Sequence, residues 1–233
     1  MKHSITKVAV LSAILALTAC SHLTNESGVS STSAAVNTAL TQSFAQLEQT
    51  AATQNSFKYQ LNKDMYTAYS VGSGLSYVIR QDEKGTTKVF YKGGKLYGVQ
   101  DSEGSSYEFD AAGKLIAALD NRGKNIALSA EALTKKQNEL TATAKKLADM
   151  LGTNAADRSV GSVRTGGDAK LNYLCIAKIQ QVAATKRVFR SSANKAGSTN
   201  RLTADVRLNG NQYYNMDCQL QGERVASLTL TKK

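Results

Sequence analysis

The sequence predicts an α+β protein: an antiparallel β-meander built from hairpin repeats with a covering helix, followed by a small disulfide-tied helix-plus-antiparallel-sheet domain. Three observations predict this class. From residue 57 onward, apolar side chains recur at every second position, and turn signals arrive every eight to ten residues. Apolar stripes with steps of three or four residues flank this region. Two cysteines, Cys175 and Cys218, lie in the last third of the chain.

The first twenty residues have the pattern of an export signal. Lys2 and Lys7 precede an apolar run of about ten residues, too short to cross a hydrocarbon core that needs roughly 20. The run ends in Leu17-Thr18-Ala19-Cys20, which resembles the lipobox of bacterial lipoproteins. The resemblance implies that residues 1–19 are a signal peptide and that Cys20 carries acyl chains, such as palmitate, which anchor the protein in a membrane.

The residue after the lipobox bears on which membrane carries the anchor. Ser21 stands where enterobacterial lipoproteins kept in the inner membrane have Asp. The resemblance therefore implies the outer membrane of a Gram-negative cell, with the protein facing either the periplasm or the cell surface. Residues 20–35 are rich in Ser, Thr, Asn and Gly, which bury little surface, so we expect the lipidated cysteine and a flexible tether there.

A helix is predicted over residues 36–53. Its apolar residues recur at steps of three or four, and they are Val36, Leu40, Phe44, Leu47 and Ala51. The stripe is narrow and its flanks carry Gln and Thr. We therefore expect this helix to lie on the surface of a partner element rather than to be buried on all sides.

The β-meander is predicted from a repeat of nineteen residues. Glycines stand at this interval at Gly85, Gly104 and Gly123, as do Phe90 and Phe109. Nineteen residues make one hairpin of two strands of about six residues with their turns, and glycine supplies the positive φ that tight turns need. The repeat resembles other bacterial hairpin-repeat proteins that share Gly-Lys-Leu turns. The predicted strands are 57–61, 65–71, 75–81, 86–91, 95–100, 105–109, 114–119 and 124–128.

A second helix should close one face of the meander. Ser129 is placed to cap it, Gly152 is placed to end it, and a leucine stripe runs between them. We group residues 36–152 as one domain of helix, β-meander and closing helix. Residues 153–167 are rich in Gly, Ser and Asn and are predicted to be a linker to the rest of the chain.

Residues 168–233 are predicted to form a basic α+β module. Asp168 can cap a helix whose apolar face includes Cys175, and Asn209-Gly210 is the strongest hairpin signal in the chain. Cys218 follows on the apolar face of the second hairpin strand. In an exported protein two such cysteines should form a disulfide, closing a loop of about 43 residues. The pattern resembles small exported modules in which a helix cysteine is tied to a strand bearing Tyr-x-x-x-Cys.

The positive charge of the chain is concentrated in its last third. Residues 160–233 contain 12 basic and 4 acidic side chains, whereas the formal charge of the whole chain is +11. Basic and aromatic residues interleaved on one sheet face suit an anionic partner, such as lipopolysaccharide phosphate, anionic lipid or an acidic envelope protein. Nucleic acid does not fit an envelope compartment. The candidate anion-binding residues are Lys186, Arg187, Arg190, Arg201, Arg207 and Tyr213.

We expect no catalytic residue, no metal site and no cofactor. The two histidines, His3 and His22, lie in the signal and beside the lipid, which excludes Ser-His-Asp and Cys-His chemistry and His-ligated zinc in the folded part. Most carboxylate pairs fall in predicted hairpin turns, where Asp and Glu are ordinary.

The function predicted from the sequence is a non-catalytic envelope lipoprotein: a binding, accessory or assembly subunit whose basic C-terminal module takes an anionic partner. One alternative is lipid or lipoprotein handling by a curved sheet, since the outer-membrane lipoprotein insertion factor has a similar general plan. Another is an enzyme inhibitor, since some lysozyme inhibitors are lipid-anchored β-proteins with a stretch resembling Ser73-Gly74-Leu75-Ser76-Tyr77.

Overall fold

The computed structural model describes residues 31–153 and 167–233, and it confirms the α+β class. Three helices are present in these residues: α1 (Ser31–Ala52), α2 (Ala130–Leu151) and α3 (Gly167–Val182). They pack on one large mixed sheet of eleven strands. The predicted signal peptide, the lipidated Cys20 and most of the predicted linker lie outside the described residues. α1 begins five residues earlier than predicted, at Ser31, so the end of the predicted tether is helical.

The first seven strands follow one another across the sheet, each antiparallel to the next. Their bounds are β1 (Asn55–Leu61), β2 (Asp64–Val71), β3 (Gly74–Asp82), β4 (Gly85–Lys92), β5 (Lys95–Gln100), β6 (Ser106–Phe109) and β7 (Leu115–Leu119). The predicted strand at 124–128 is wrong. That segment makes one isolated bridge, between Leu119 and Asn125, because it must leave the sheet to reach the cap of α2 at Ser129.

Four turns in this part have an Asp followed three residues later by Gly, and in three of them the Asp carboxylate accepts two backbone hydrogen bonds. The Asp120 carboxylate accepts hydrogen bonds from the backbone N–H groups of Arg122 and Lys124, at 2.9 and 2.8 Å. Asp101 and Asp110 accept two such bonds each in the same way. Gly123 has φ of +75°, a left-handed conformation that favours glycine. The repeat seen in the sequence is therefore a repeated Asp-x-x-Gly turn.

The remaining strands form the other half of the sheet. They are β8 (Val188–Arg190), β9 (Arg201–Leu208), β10 (Gln212–Gln221) and β11 (Arg224–Lys232), each antiparallel to the next. The predicted hairpin turn is confirmed. Asn209 and Gly210 join β9 to β10 with φ of +53° and +88°, the left-handed conformation at both positions that a tight two-residue turn needs.

The two halves meet where β1 pairs with β11, the parallel neighbours in an otherwise antiparallel sheet. The Asn62 N–H donates to the Leu230 carbonyl at 2.9 Å, and the Lys232 N–H donates to Asn62 Oδ1 at 2.8 Å. The strands before and after the predicted linker therefore belong to one sheet. The division of the chain into two domains on either side of the linker stays a prediction.

Helices cover both faces of the first half of the sheet. α1 packs Leu40, Phe44 and Ala51 against Tyr77, Phe90 and Leu119. On the opposite face α2 buries Leu140, Ala144, Leu147 and Leu151 in the larger core that continues under α3. As predicted, Ser129 caps α2 by accepting a hydrogen bond from the Ala132 N–H, and Gly152 ends it.

α3 covers the second half of the sheet and is tied to it covalently. The predicted disulfide is confirmed: Cys175 of α3 and Cys218 of β10 are joined, and both are fully buried. Asp168 does not precede this helix as a cap but lies within its first turn, where its carboxylate pairs with Arg190. No helix in the described ranges is long and apolar enough to cross a membrane.

Candidate functional site

One end of the second half of the sheet carries a row of basic and aromatic residues on one face, which we call the basic-aromatic row: Phe189, Arg207, Tyr213 and Lys233. Arg207 is half-buried, and the other three are exposed. Phe189 pairs with Arg207, Arg207 pairs with Tyr213, and the Lys233 N–H donates to the Tyr213 carbonyl. These residues therefore lie side by side across four strands. Phe189 and Tyr213 are 54% and 49% exposed, which is unusual for large aromatic side chains.

Arg207 holds the centre of this row. Its guanidinium carbon lies 5.8 Å from the centroid of the Phe189 ring, a distance at which a cation interacts favourably with an aromatic face. Two further candidates lie beside the row, because the Asn209 N–H donates to the Arg187 carbonyl and Lys186 precedes Arg187. Within the described ranges, no carboxylate lies within ion-pair distance of Lys186, Arg187 or Arg207. Their positive charges are available to a partner.

The structure separates Arg201 from this group. Arg201 Nε and Nη2 donate to the two carboxylate oxygens of Asp217, at 2.8 and 2.5 Å. This fork-shaped pair uses the face of the guanidinium that would otherwise bind an anion, and it raises the pKa of Arg201. Arg201 also lies at the far end of β9 from Arg207. It was predicted as an anion-binding residue, and the structure instead places it in an internal ion pair.

Arg190 differs from the prediction in the face it occupies. In β8, Val188 and Arg190 alternate with the exposed Phe189, and Arg190 pairs with the buried Val206. Its Nη1 and Nη2 atoms lie 3.4 Å from Asp168 Oδ2 of α3. Arg190 therefore links β8 to the covering helix, on the face opposite the basic-aromatic row.

The Asp205 carboxylate compensates part of the positive charge near the row. Its carboxylate accepts from Lys233 Nζ at 2.9 Å and from Lys195 Nζ at 3.1 Å. These two ammonium groups hold the pKa of the Asp205 carboxyl below its usual range. Of the row itself, Arg207 is thus the residue with an uncompensated charge, and Lys186 and Arg187 add to it.

A cleft lies at the same end of the sheet but on the helix-covered face, and we call it the tyrosine cleft. Its volume is about 520 Å³. Residues of α2, of the C-terminal end of α3 and of the β1–β11 pair line it. Three tyrosines from both halves of the sheet line it, namely Tyr59, Tyr66 and Tyr214. Tyr213 and Tyr214 are consecutive residues of β10. This strand therefore presents the ring of Tyr213 to the row and the ring of Tyr214 to the cleft.

The tyrosines of the cleft are largely withdrawn from water. The rings of Tyr59 and Tyr66, paired across β1 and β2, stack with centroids 5.6 Å apart. Burial raises the pKa of Tyr59, and interaction with Tyr66, Tyr214 and Asp64 raises it further. Burial raises the pKa of Tyr66 against the opposing effect of Arg80. The raised pKa keeps the phenols of Tyr59 and Tyr66 neutral hydrogen-bonding groups at physiological pH.

The sequence analysis missed this cleft. Tyr59 and Tyr66 are recognisable as neighbours, because each lies on the apolar face of its strand and a two-residue turn joins the strands. Tyr214 is distant in sequence, and nothing local indicates that β11 pairs with β1. The signal that could have been used is the recurrence of tyrosine at the edge of each apolar face.

The stretch that resembles lysozyme inhibitors is built into the fold. Leu75 and Tyr77 are buried, and the Ser76 hydroxyl donates to Gln54 Oε1 at 2.8 Å, next to α1. Within the described ranges there is no cluster of three or more His, Cys, Asp or Glu side chains that could hold a metal ion.

Comparison with known proteins places the chain in a family. It is similar along its whole length to the uncharacterized protein PM0674 of Pasteurella multocida (strain Pm70), with 45% identity over 237 residues and full coverage of both chains. The chain belongs to the family of this protein. No family model matches the chain, and no solved structure matches it. The family relationship therefore extends over both halves of the sheet.

Proposed function

We propose that this protein is a non-catalytic lipoprotein of the bacterial outer membrane whose C-terminal part binds an anionic partner. The lipobox Leu17-Thr18-Ala19-Cys20 supports the anchor and the location. The basic-aromatic row, together with Lys186 and Arg187, supports the binding role. The row is the observation that carries the proposal, because it combines the exposed rings of Phe189 and Tyr213 with Arg207, whose positive charge has no acidic partner in the described ranges.

Leaving such a surface in water costs free energy. Phe189 and Tyr213 gain free energy when their exposed faces are removed from water. A single exposed charge pair contributes little, so affinity must come from Arg207, Arg187 and Lys186 acting together. Phosphate-bearing lipid headgroups present many charges on one surface, and aromatic rings partition into the interface above them. The favoured partner is therefore an anionic lipid surface, including lipopolysaccharide.

The test uses the chain from residue 20 with Cys20→Ser, so that its own acyl chains do not determine binding. Its co-sedimentation with vesicles of phosphatidylglycerol and phosphatidylcholine is compared with that of Arg187→Gln/Arg207→Gln. The matched control is Arg190→Gln/Arg201→Gln, which removes the same charge from arginines already paired within the protein. We expect weaker binding for the first variant and little change for the control.

The same experiment is repeated at higher salt and with other anionic partners. Raising the salt from about 0.05 to 0.3 M shortens the screening length from roughly 14 to 6 Å and should weaken binding. Equal loss in both double variants would show that only net charge matters and would reject the row as the site. Binding to an acidic protein, without binding to phosphatidylglycerol or to lipopolysaccharide, would replace the lipid surface as the partner.

The anchor has its own test. Changing Cys20→Ala in the full chain should abolish metabolic labelling with palmitate and move the protein out of the membrane fraction, because one residue carries the acyl chains. A variant that remained in the membrane fraction would refute the lipoprotein proposal.

A further inference from the structure

Apolar and polar residues both line the tyrosine cleft. The apolar residues come from both α2 and α3 and from the strands at and beside the β1–β11 pair, and they are Leu61, Leu147, Met150, Val182, Leu208 and Leu230. The polar residues come from both sides of that pair, with Tyr66 and Arg80 on β2 and β3 and with Asn209 and Gln212 at the β9–β10 turn. A volume of about 520 Å³ lies within the range of roughly 300–1,000 Å³ that is usual for small-molecule sites. An apolar middle with a charged group at its β3 side matches a molecule with an apolar body and a polar head.

Arg80 is the charged residue at the β3 side of the cleft. Its Nη2 atom pairs with Asp82 Oδ2 at 2.5 Å, and its side chain is partly buried. Its Nε atom is buried and has no hydrogen-bond partner within the described ranges. An unpaired buried donor costs free energy, and the cost is larger when the group is charged. A carboxylate or phosphate oxygen in the cleft would be a suitable acceptor for a guanidinium group.

The other charged groups of the cleft are Lys146 and Asp64. Lys146 is exposed on α2 at the rim, whereas Asp64 lies at the start of β2 beside Tyr66. The lining thus carries two cations and one carboxylate. The side chains of Tyr59, Tyr66 and Tyr214 add hydroxyl groups that can donate to a head-group oxygen.

We propose that the tyrosine cleft binds an anionic amphiphile with a single apolar chain. The apolar chain of the ligand lies against the apolar lining residues of α2, α3 and the sheet. Its carboxylate or phosphate lies at Arg80, with Lys146 at the rim. This goes beyond the proposed function, because the cleft lies on the opposite face of the sheet from the basic-aromatic row and uses none of its residues. Free fatty acids and monoacyl phospholipids share this chemistry.

The experiment uses the chain from residue 20 with Cys20→Ser, which removes its own acyl chains as competitors. Dodecanoate, dodecyl phosphate and dodecyltrimethylammonium share one chain and differ in the head group. Each is titrated by calorimetry below the concentration at which it forms micelles. We expect one molecule of dodecanoate or dodecyl phosphate to bind per protein chain, and the cationic surfactant to bind at least about tenfold more weakly.

Two variants assign the binding to the cleft. Arg80→Gln should weaken binding of dodecanoate about tenfold or more, because it removes the charged donor. Arg224→Gln, at the far end of β11 from the cleft, is the control for net charge. Ala183→Phe adds a ring to the lining and should block the chain whichever head group is used. A urea unfolding curve for each variant separates lost binding from lost folding.

The outcomes decide the proposal. Stronger binding of the cationic surfactant would assign the cleft to an ammonium ligand and overturn the anionic head. Unchanged binding in both Arg80→Gln and Ala183→Phe, or no binding of any of the three compounds, would overturn the cleft as the site. If Arg80→Gln does not fold, Lys146→Gln and Ala183→Phe still test the head group and the chain. The Arg187→Gln/Arg207→Gln variant should keep dodecanoate binding, so this proposal can fail independently of the lipid-surface proposal.

Discussion

The two halves of the sheet, on either side of the β1–β11 pair, are stabilised in different ways. In the first half, β4 has three consecutive buried residues, Val89, Phe90 and Tyr91, because α1 covers one face and α2 the other. In the second half, β9 alternates strictly, with buried residues towards α3 and polar residues such as Arg207 on the other face. A sheet covered on both faces can rely on packing alone.

The second half has less apolar surface to bury and shows what replaces it. A disulfide ties α3 to β10, and ion pairs such as Arg201–Asp217 order the polar face. The uncovered face is in turn available to a partner, which the doubly covered face of β3 to β5 is not. The proposed binding of an anionic surface uses this uncovered face of the second half.

The largest expected effect comes from removing the crosslink of the second half. Cys175→Ala with Cys218→Ala should lower the free energy of unfolding by about 3–4 kcal/mol, because the disulfide closes a loop with a sequence separation of 43 residues. Urea unfolding of both proteins, with and without reductant, measures this. Reductant should destabilise the native protein and leave the variant unchanged. A loss below about 1 kcal/mol would show that packing under α3 suffices, as it does in the first half.

The matching change in the first half is Gly98→Ala in β5. A Cβ atom at residue 98 would lie 2.4 Å from two carbon atoms of the Phe44 ring. Phe44 stacks on Phe90 at 4.3 Å and contacts Tyr97 edge-on, so it has little room to move. We expect a loss of about 1–3 kcal/mol from overpacking, measured by urea unfolding.

A double variant tests the cause of this loss. Phe44→Ala by itself should destabilise the docking of α1, and Gly98→Ala should cost less in that background than in the native protein, because the ring it meets is gone. Equal costs in the two backgrounds would show that Gly98 is needed for its backbone conformation rather than for the close approach of α1.

A smaller effect is expected from the Asp-x-x-Gly turns of the first half. Asp110→Ala removes the acceptor of the Ala112 and Lys114 N–H groups and should cost about 1 kcal/mol, measured by urea unfolding. Asp149→Ala is the control, since it removes only an exposed ion pair with Lys145 and should cost under about 0.5 kcal/mol. Similar losses in both variants would contradict a structural role for the turn.

The smallest effect concerns two carboxyls whose pKa is lowered for different reasons. In Asp120 the first cause is hydrogen bonding by the Lys124 backbone, whereas in Asp205 it is hydrogen bonding by Lys233 and Lys195. A carboxyl with a lower pKa in the folded state stabilises the protein above its unfolded pKa of about 3.9. This stabilisation is lost as the pH falls through the folded pKa. Unfolding as a function of pH should show a shallower acid loss in Asp205→Asn and in Asp120→Asn.

Salt separates the two carboxyls. Because exposed ion pairs are screened, high salt should remove most of the difference between the native protein and Asp205→Asn. The backbone hydrogen bonds of Asp120 should persist, so its difference should remain. Equal sensitivity to salt would mean that both halves use charge in the same way.

The parts of the fold that depend on neighbouring residues were predictable. Ser129 and Gly152 mark the ends of α2, and Asn209-Gly210 marks a hairpin, because caps and tight turns depend on the chemistry of a few adjacent residues. The strand expected at 124–128 failed, although its pattern fitted the repeat, because the chain there has to reach α2. The candidate site was half predictable: Arg207 and Tyr213 follow from alternation along a strand, but the partners of Arg190 and Arg201 do not.

By itself, the sequence determined the α+β class, the nineteen-residue repeat with glycine in its turns, the apolar faces of the helices and the pairing of the two cysteines. Each follows from periodicity, turn chemistry or composition over short stretches. Only the tertiary structure decided that β1 and β11 join the halves into one sheet, through contacts such as that of Lys232 with Asn62, 170 residues apart. That pairing also created the tyrosine cleft. Pairing between distant strands depends on the burial of whole faces, which no local pattern specifies.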